Sequence, residues 1–299
     1  MLIKLSFLLA IRFEGAAEIK NPKPSPKGVS KAIKLAQEFS KEHTKGLKFS
    51  GAGDDCAGYP TTKLESSDAV FEIEPEHLKC FEFMLKGKAL SEIAKKGVMS
   101  KSDAKDIALK AIKNLHTDFD KRKMVFTVEK EDSTIGVTKD GKEIKYPPTI
   151  YLFWWTEHVK IGKYDVAVPG NSVSMIVNTE KHIIIMLRSH FKVNLKNISP
   201  KPITVDEAEA KNIALTYLKS KFNFAMDKIT IKGPSLYSQG KIKGPPPLPP
   251  VEIEKTPLSI YWQITAEGWQ PAQGIKVKMG AWLDIDATTG QVFKFSSNY

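Results

Sequence analysis

A chain of 299 residues with 41% hydrophobic and 9% aromatic residues can bury real cores, so disorder is not the default, and two or three modules of about 100 residues are expected. The net charge is +11, yet Arg12, Arg122 and Arg188 are the only arginines among 45 basic residues. Base readout and phosphate clamps favour the planar guanidinium. The lysines also alternate with acids, as in Lys34, Glu38, Lys41 and Glu42, so the charge reads first as a solvated surface. Affinity for an anionic polymer (nucleic acid, acidic polysaccharide, lipid headgroups) is the second reading.

No apolar run approaches about 18 residues, so no membrane-spanning helix is expected. Residues 5–11 follow Lys4 and fit the core of a short signal peptide, with Gly15, Ala16 and Ala17 as small residues near a cleavage point. Arg12 and Glu14 intrude, which leaves export and cytoplasmic retention both open. Residues 20–27, with Pro22, Pro24 and Pro26, end a flexible N-terminal arm. Residues 51–55 read as an ordinary loop, since no Lys-Ser/Thr or spaced acidic series follows them. Cys56 and Cys80 form no CxxC pair. In an exported protein they could join, a link worth about 3 kcal/mol. In a cytosolic one they are two small thiols.

One pattern recurs along the rest of the chain. Leu35, Ala36 and Phe39 align with Ile107, Ala108 and Ala111, then with Ile213, Ala214 and Tyr217. That i, i+1, i+4 spacing sets each group on one helix face. Ser100 with Asp103 and Asp206 with Glu209 read as N-cap pairs, whereas Gly28 and Lys31 make a weaker start. Closing hairpins follow. Phe71, Ile73, Phe81 and Phe83 match Met175, Val177, Ile185 and Leu187, and then Leu283, Ile285, Phe293 and Phe295. Their turns run over residues 74–78, 178–182 and 286–290, and only the last keeps a glycine, Gly290. Strands at 151–156 and 259–264 precede the second and third hairpins, and a proline cluster at 244–250 reads as a rigid connecting loop.

The helix, the strand bearing Trp262, and the hydrophobic-Asp-x-x-Thr-Gly-x-Val hairpin from Trp282 to Phe295 resemble the PepSY domain family. The expected fold is α+β, with tandem repeats of one helix packed on a short antiparallel β-meander. The boundaries fall at 1–27 for the arm and at 28–97, 98–199 and 200–299 for three units. The resemblance implies an extracytoplasmic, secreted or envelope module that restrains or binds a peptidase or another protein. It brings no shared catalytic residue.

His43, His77, His116, His158, His182 and His190 form no HExxH or close pair, so solvated histidines and no metal site are expected. Asp284 and Asp286 are two apart on a strand; Asp286 reads as the opener of the turn and Asp284 as an outer-face residue. Without a GxSxG elbow or other nucleophile signature, no catalytic residue, cofactor or enzyme activity is expected. Aligning Trp154 with Trp262 turns Tyr151, Phe153 and Trp155 to the outer face. Such an aromatic stripe must be covered, either by a neighbouring unit or by a partner protein or second copy. The leading reading is a non-catalytic binding or regulatory module; the alternative is a lysine-rich surface protein for an anionic polymer. Oligomeric state is not legible.

Overall fold

The computed structural model describes residues 24–53, 56, 59–131, 135–137, 143–145, 148–195, 201–222, 225–237, 259–272 and 275–298. The signal-like segment and the proline cluster lie outside these residues. Helix α1 (Pro26–Phe39) precedes strands β1 (Lys48–Ala52), β2 (Thr62–Glu65), β3 (Ala69–Ile73) and β4 (Cys80–Leu85). Helices α2 (Gly87–Glu92) and α3 (Lys101–Leu115) lead into β5 (Met124–Glu131) and a small hairpin, β6 (Ile135–Val137) with β7 (Glu143–Lys145). Then come β8 (Ile150–Ile161), β9 (Tyr164–Asn178) and β10 (Ile183–Phe191). Helix α4 (Glu207–Phe222) is followed by β11 (Ala225–Tyr237), β12 (Ser259–Ala272), β13 (Ile275–Asp286) and β14 (Val292–Asn298).

These strands do not form a row of separate meanders, which corrects the expected fold class. Twelve of them join one mixed sheet in the order β1-β2-β3-β4-β10-β9-β11-β12-β13-β14, with β8 on the remaining edge of β9 and β5 outside β8. The decisive pairing is β4 against β10, antiparallel, with Phe83 opposite Leu187 and Glu82 opposite Arg188. Alternation tells a strand which face to bury but not which strand to lie beside. Because a bare edge is a liability, β4 is stabilised by taking a distant neighbour. Strand β9 carries β8 along one edge; its other edge is divided between β10 and a parallel contact to β11 at Ala167 and Ser235.

Two cores result. Under α1 and α3, Ala36, Ala108 and Ile112 meet Phe71, Phe81, Phe153, Met175 and Leu187, all fully buried. Under α4, Ala214 and Leu218 meet Ile260, Trp262, Ile264, Leu283 and Ile285. Strand β9 feeds both: Val173, Met175 and Val177 enter the first core, Val166 and Val168 the second. The buried Trp262 indole donates from Nε1 to the Val205 carbonyl at 2.8 Å, so its polar edge is paired.

The helix starts follow the local chemistry. Ser100 and Asp206 accept from the backbone N–H groups of Asp103 and Glu209, as the spacing predicts. The first helix starts earlier than expected: Ser25 Oγ accepts from Gly28 N at 3.0 Å, and Pro26 takes the first helical position, where its missing N–H costs nothing. The three turns share one device. Glu74, Asn178 and Asp286 each accept backbone N–H bonds from the residues that follow. Each turn also ends on a left-handed residue: Leu78 at φ 53°, His182 at 57° and Gly290 at 73°. The glycine seen in only one sequence copy therefore marks a backbone shape present in all three. Bulges shift the closing strands of the second and third hairpins, so that Ile184 and Val292, rather than Ile185 and Phe293, stand opposite Val177 and Ile285. Phe293 is thereby turned outward, edge-on to Tyr261.

Candidate binding site

A cavity of about 950 Å³ opens where α3 ends. Its walls come from the turn before β4, the segment between α3 and β5, the middle of β8, and the stretch that follows β10. His116 closes α3 by donating its backbone N–H to the Ile112 carbonyl at 2.7 Å. A short turn then delivers Asp118, Lys121, Arg122 and Lys123 to the rim. On β8, Glu157 and His158 stand at the register shift against β9, where the strand re-aims its side chains.

Arg122 organises the floor. Its Nε and Nη2 reach Asp118 Oδ2 at 2.9 and 2.8 Å, and its Nη1 reaches Glu157 Oε2 at 3.3 Å. The guanidinium also lies 4.2 Å from the centre of the Phe191 ring. Glu157 is 4% exposed and accepts a further bond from Asn171 Nδ2 at 2.7 Å, so this buried carboxylate is paired. Asn171 in turn joins both backbone groups of Val193, which fixes the wall beyond β10.

Two histidines contradict the expectation of solvated rings. His116 is 5% exposed, bonded through Nε2 to Ser189 Oγ at 2.8 Å and packed edge-on against Phe191. Burial pulls its pKa down to about 4, so at neutral pH the ring is uncharged. His158 keeps both ring nitrogens buried without an aligned hydrogen-bond partner among the described residues. Its Nδ1 is 3.3 Å from Asp165 Oδ2, within ion-pair range, but the angle is poor. Buried polar atoms are nearly always satisfied. His158 is thus a polar ring on the cavity wall whose nearest charged neighbour is Asp165.

Around the hollow, Lys79, Lys121, Arg122 and Lys123 outnumber the carboxylates of Asp118 and Glu157. Lys123 is balanced by Asp165, and Lys79 lies 5.2 Å from the centre of the Tyr59 ring, so a smaller positive excess remains at the rim. Such a site suits an acidic group.

The aromatic stripe expected to be covered by a neighbouring unit or by a partner lies elsewhere. Tyr151, Phe153 and Trp155 are 6%, 0% and 4% exposed, inside the core below α3, with the Phe126 ring tilted 5.5 Å from that of Trp155. The outward residue is Trp154, 39% exposed. The cause is register: Tyr151 pairs with Val177 as Trp262 pairs with Ile285, so the true match is displaced by an odd number of residues from the tryptophan alignment. An odd displacement turns every side chain to the other face. Asp286 does open its turn, accepting from Thr288 and Thr289, and Asp284 lies on the outer face near Lys294 at 3.8 Å. Asp284 is nevertheless buried, and burial pushes its pKa up.

No family model matches the chain, and no curated protein does. Among solved structures it is similar to the C-terminal domain of YpeB from Bacillus megaterium, at 16% identity over 93% of this chain and 99% of that one, with a TM-score of 0.41. A likeness this faint transfers neither function nor partner. Among the described residues, no helix is long and apolar enough to cross a membrane.

Proposed function

We propose that this chain is a non-catalytic binding module of an oxidising, extracytoplasmic compartment, holding an acidic segment of a protein partner over the cavity beside Arg122. The observation that carries the reading is the excess of Lys79, Lys121, Arg122 and Lys123 over Asp118, Glu157 and Asp165 at one hollow. His158, 3.3 Å from Asp165 Oδ2, adds an imidazole to its wall. The PepSY-like hairpin of the sequence implies a peptidase as the partner class.

The compartment is supported by the link between Cys56 and Cys80, whose Cα atoms are 6.1 Å apart. Such bonds persist outside the reducing cytosol. Protein taken from its native source is therefore expected to resist thiol alkylation until it is reduced, after which mass spectrometry finds two labels. Labelling without reduction would count against export.

The binding itself is tested with an oligoglutamate peptide and, separately, inorganic polyphosphate. Reversing two rim charges together, Lys79→Glu and Lys121→Glu, is expected to weaken the peptide by at least about tenfold, since close charge pairs at interfaces are worth more than 1 kcal/mol each. Polyphosphate binding through dispersed lysines should hardly change, but should fall steeply with salt. Equal, small effects on both probes would transfer the function to the general lysine surface instead.

A further inference from the structure

Arg122 and Lys123 are neighbours in the chain, and acids hold them in different ways. Asp118 and Glu157, which grip Arg122, are themselves walls of the cavity, and Glu157 is buried. Lys123 also lines the cavity, but the acid on it, Asp165, comes from the start of β9. The Lys123 and Asp165 side chains are 49% and 39% exposed, so this pair is in contact with water. Exposed pairs of this kind are worth at most about 1 kcal/mol, which makes an exchange of partners cheap.

The strand register explains how Asp165 comes to be there. The Lys123 carbonyl accepts from the backbone N–H of His158 at 2.9 Å, which brings the lysine alongside β8. On β9, Ala167 stands opposite His158 and Asp165 opposite Lys160. Residues two apart on a strand share a face, so Asp165 lies on the face of His158 and Lys160. One of its carboxylate oxygens bonds Lys123 Nζ, and the other is 3.3 Å from His158 Nδ1. The bond from Lys123 is the chief cause of the lowered pKa of Asp165, which is ionised at neutral pH.

A carboxylate is thus already seated on a cavity cation, and it is the chain's own. It also has a second place to go. Lys160 is exposed and is its direct cross-strand neighbour, and opposite charges at such positions support a sheet. An acidic side chain entering the cavity can take the place of Asp165 on Lys123 while Asp165 turns to Lys160. One ion pair is broken and two are made, so the exchange leaves no charge bare.

We infer that Asp165 is a built-in competitor for the acidic ligand of this cavity, occupying the Lys123 ammonium in the free chain and yielding it to a carboxylate of the bound peptide. The inference rests on the role proposed for the cavity and adds a residue that sets its affinity. The test is titration calorimetry of the full chain with the oligoglutamate peptide. Asp165→Asn is expected to tighten binding about threefold, the scale of one exposed ion pair. Lys123→Met in the Asp165→Asn background should remove that gain, so the two changes are coupled. Asp120→Asn is the control for charge alone: Asp120 is 69% exposed and pairs with Lys113 at 2.8 Å, so its loss should leave the affinity unchanged. Circular dichroism checks that the variants fold alike. Equal gains for Asp165→Asn and Asp120→Asn would overturn the inference, as would a gain that survives Lys123→Met. A parent that binds the peptide as tightly as Asp165→Asn does would also overturn it, while the cavity kept its role. No binding by either protein would overturn both readings.

Discussion

Replacing Trp155 with alanine is expected to lower the stability of the fold by about 3–5 kcal/mol, the range for deleting a large buried aromatic. Trp155 is 4% exposed, contacts Phe126 and Phe153 at ring distances of 5.5 and 6.0 Å, and lies opposite Val173 on β9. Its removal leaves a void that neither the strand nor α3 can close without breaking its own pairing. Trp154 is the matched control. It is the adjacent residue and 39% exposed, so its alanine variant should lose clearly less stability than that of Trp155. Denaturant titration measures both, with the midpoint moving and the slope constant. A larger loss for Trp154 than for Trp155 would mean that the strand's faces are exchanged.

Acid should unfold the protein partly through one ring. The His116 pKa is about 4 in the folded chain, chiefly from burial, against about 6.5 when unfolded. Above the unfolded value both states hold the ring neutral, and the native state bears no penalty. As pH falls from about 6.5 to about 4, the unfolded chain takes a proton that the folded chain refuses, so stability drops. With each unit worth about 1.4 kcal/mol, the loss approaches about 3 kcal/mol at the lower end. Two carboxyls add losses in the same sense: Glu82, held low mainly by its hydrogen bond with His190, and Asp165, held low mainly by Lys123. Asp284, pushed up by burial, acts the other way. Subtracting the profile of His116→Gln from that of the parent isolates the histidine. The difference should be flat above about pH 7 and steep between about 6.5 and 4. A flat difference throughout would place the ring in solvent.

Local physics was legible in the residues and long-range pairing was not. The alanines aligned on the three helices, Ala36, Ala108 and Ala214, are all fully buried, and the caps at Ser100 and Asp206 form where their spacing puts them. Ile260, Trp262 and Ile264 face the core as their alternation requires. The pairing of β4 with β10 had no signal of its own, since alternating strands are equally prepared for any neighbour. The face of Tyr151, Phe153 and Trp155 was lost because a shared tryptophan is a weaker marker of register than the strand partner opposite it. The candidate site drew on His116, Arg122, Glu157, His158 and Asn171, which no motif links. Its one sequence clue was Arg122 four residues after Asp118 in a chain with so little arginine.

The β4–β10 seam also sets a timetable. Ser189 and Phe81, which touch across it, are 108 residues apart in the chain. A growing polypeptide thus makes β4, with Phe81 and Phe83 on its inner face, long before the strand that will lie against it exists. Closure over such a span is slow compared with local helix formation, and an uncovered strand invites the wrong neighbour meanwhile. The link from Cys56 to Cys80 spans only 24 residues and can close during that interval, tethering the start of β4. The first third of the molecule therefore waits, unfinished, for residues synthesised much later, and a chain interrupted before residue 183 would be left with a sticky border in place of a completed sheet.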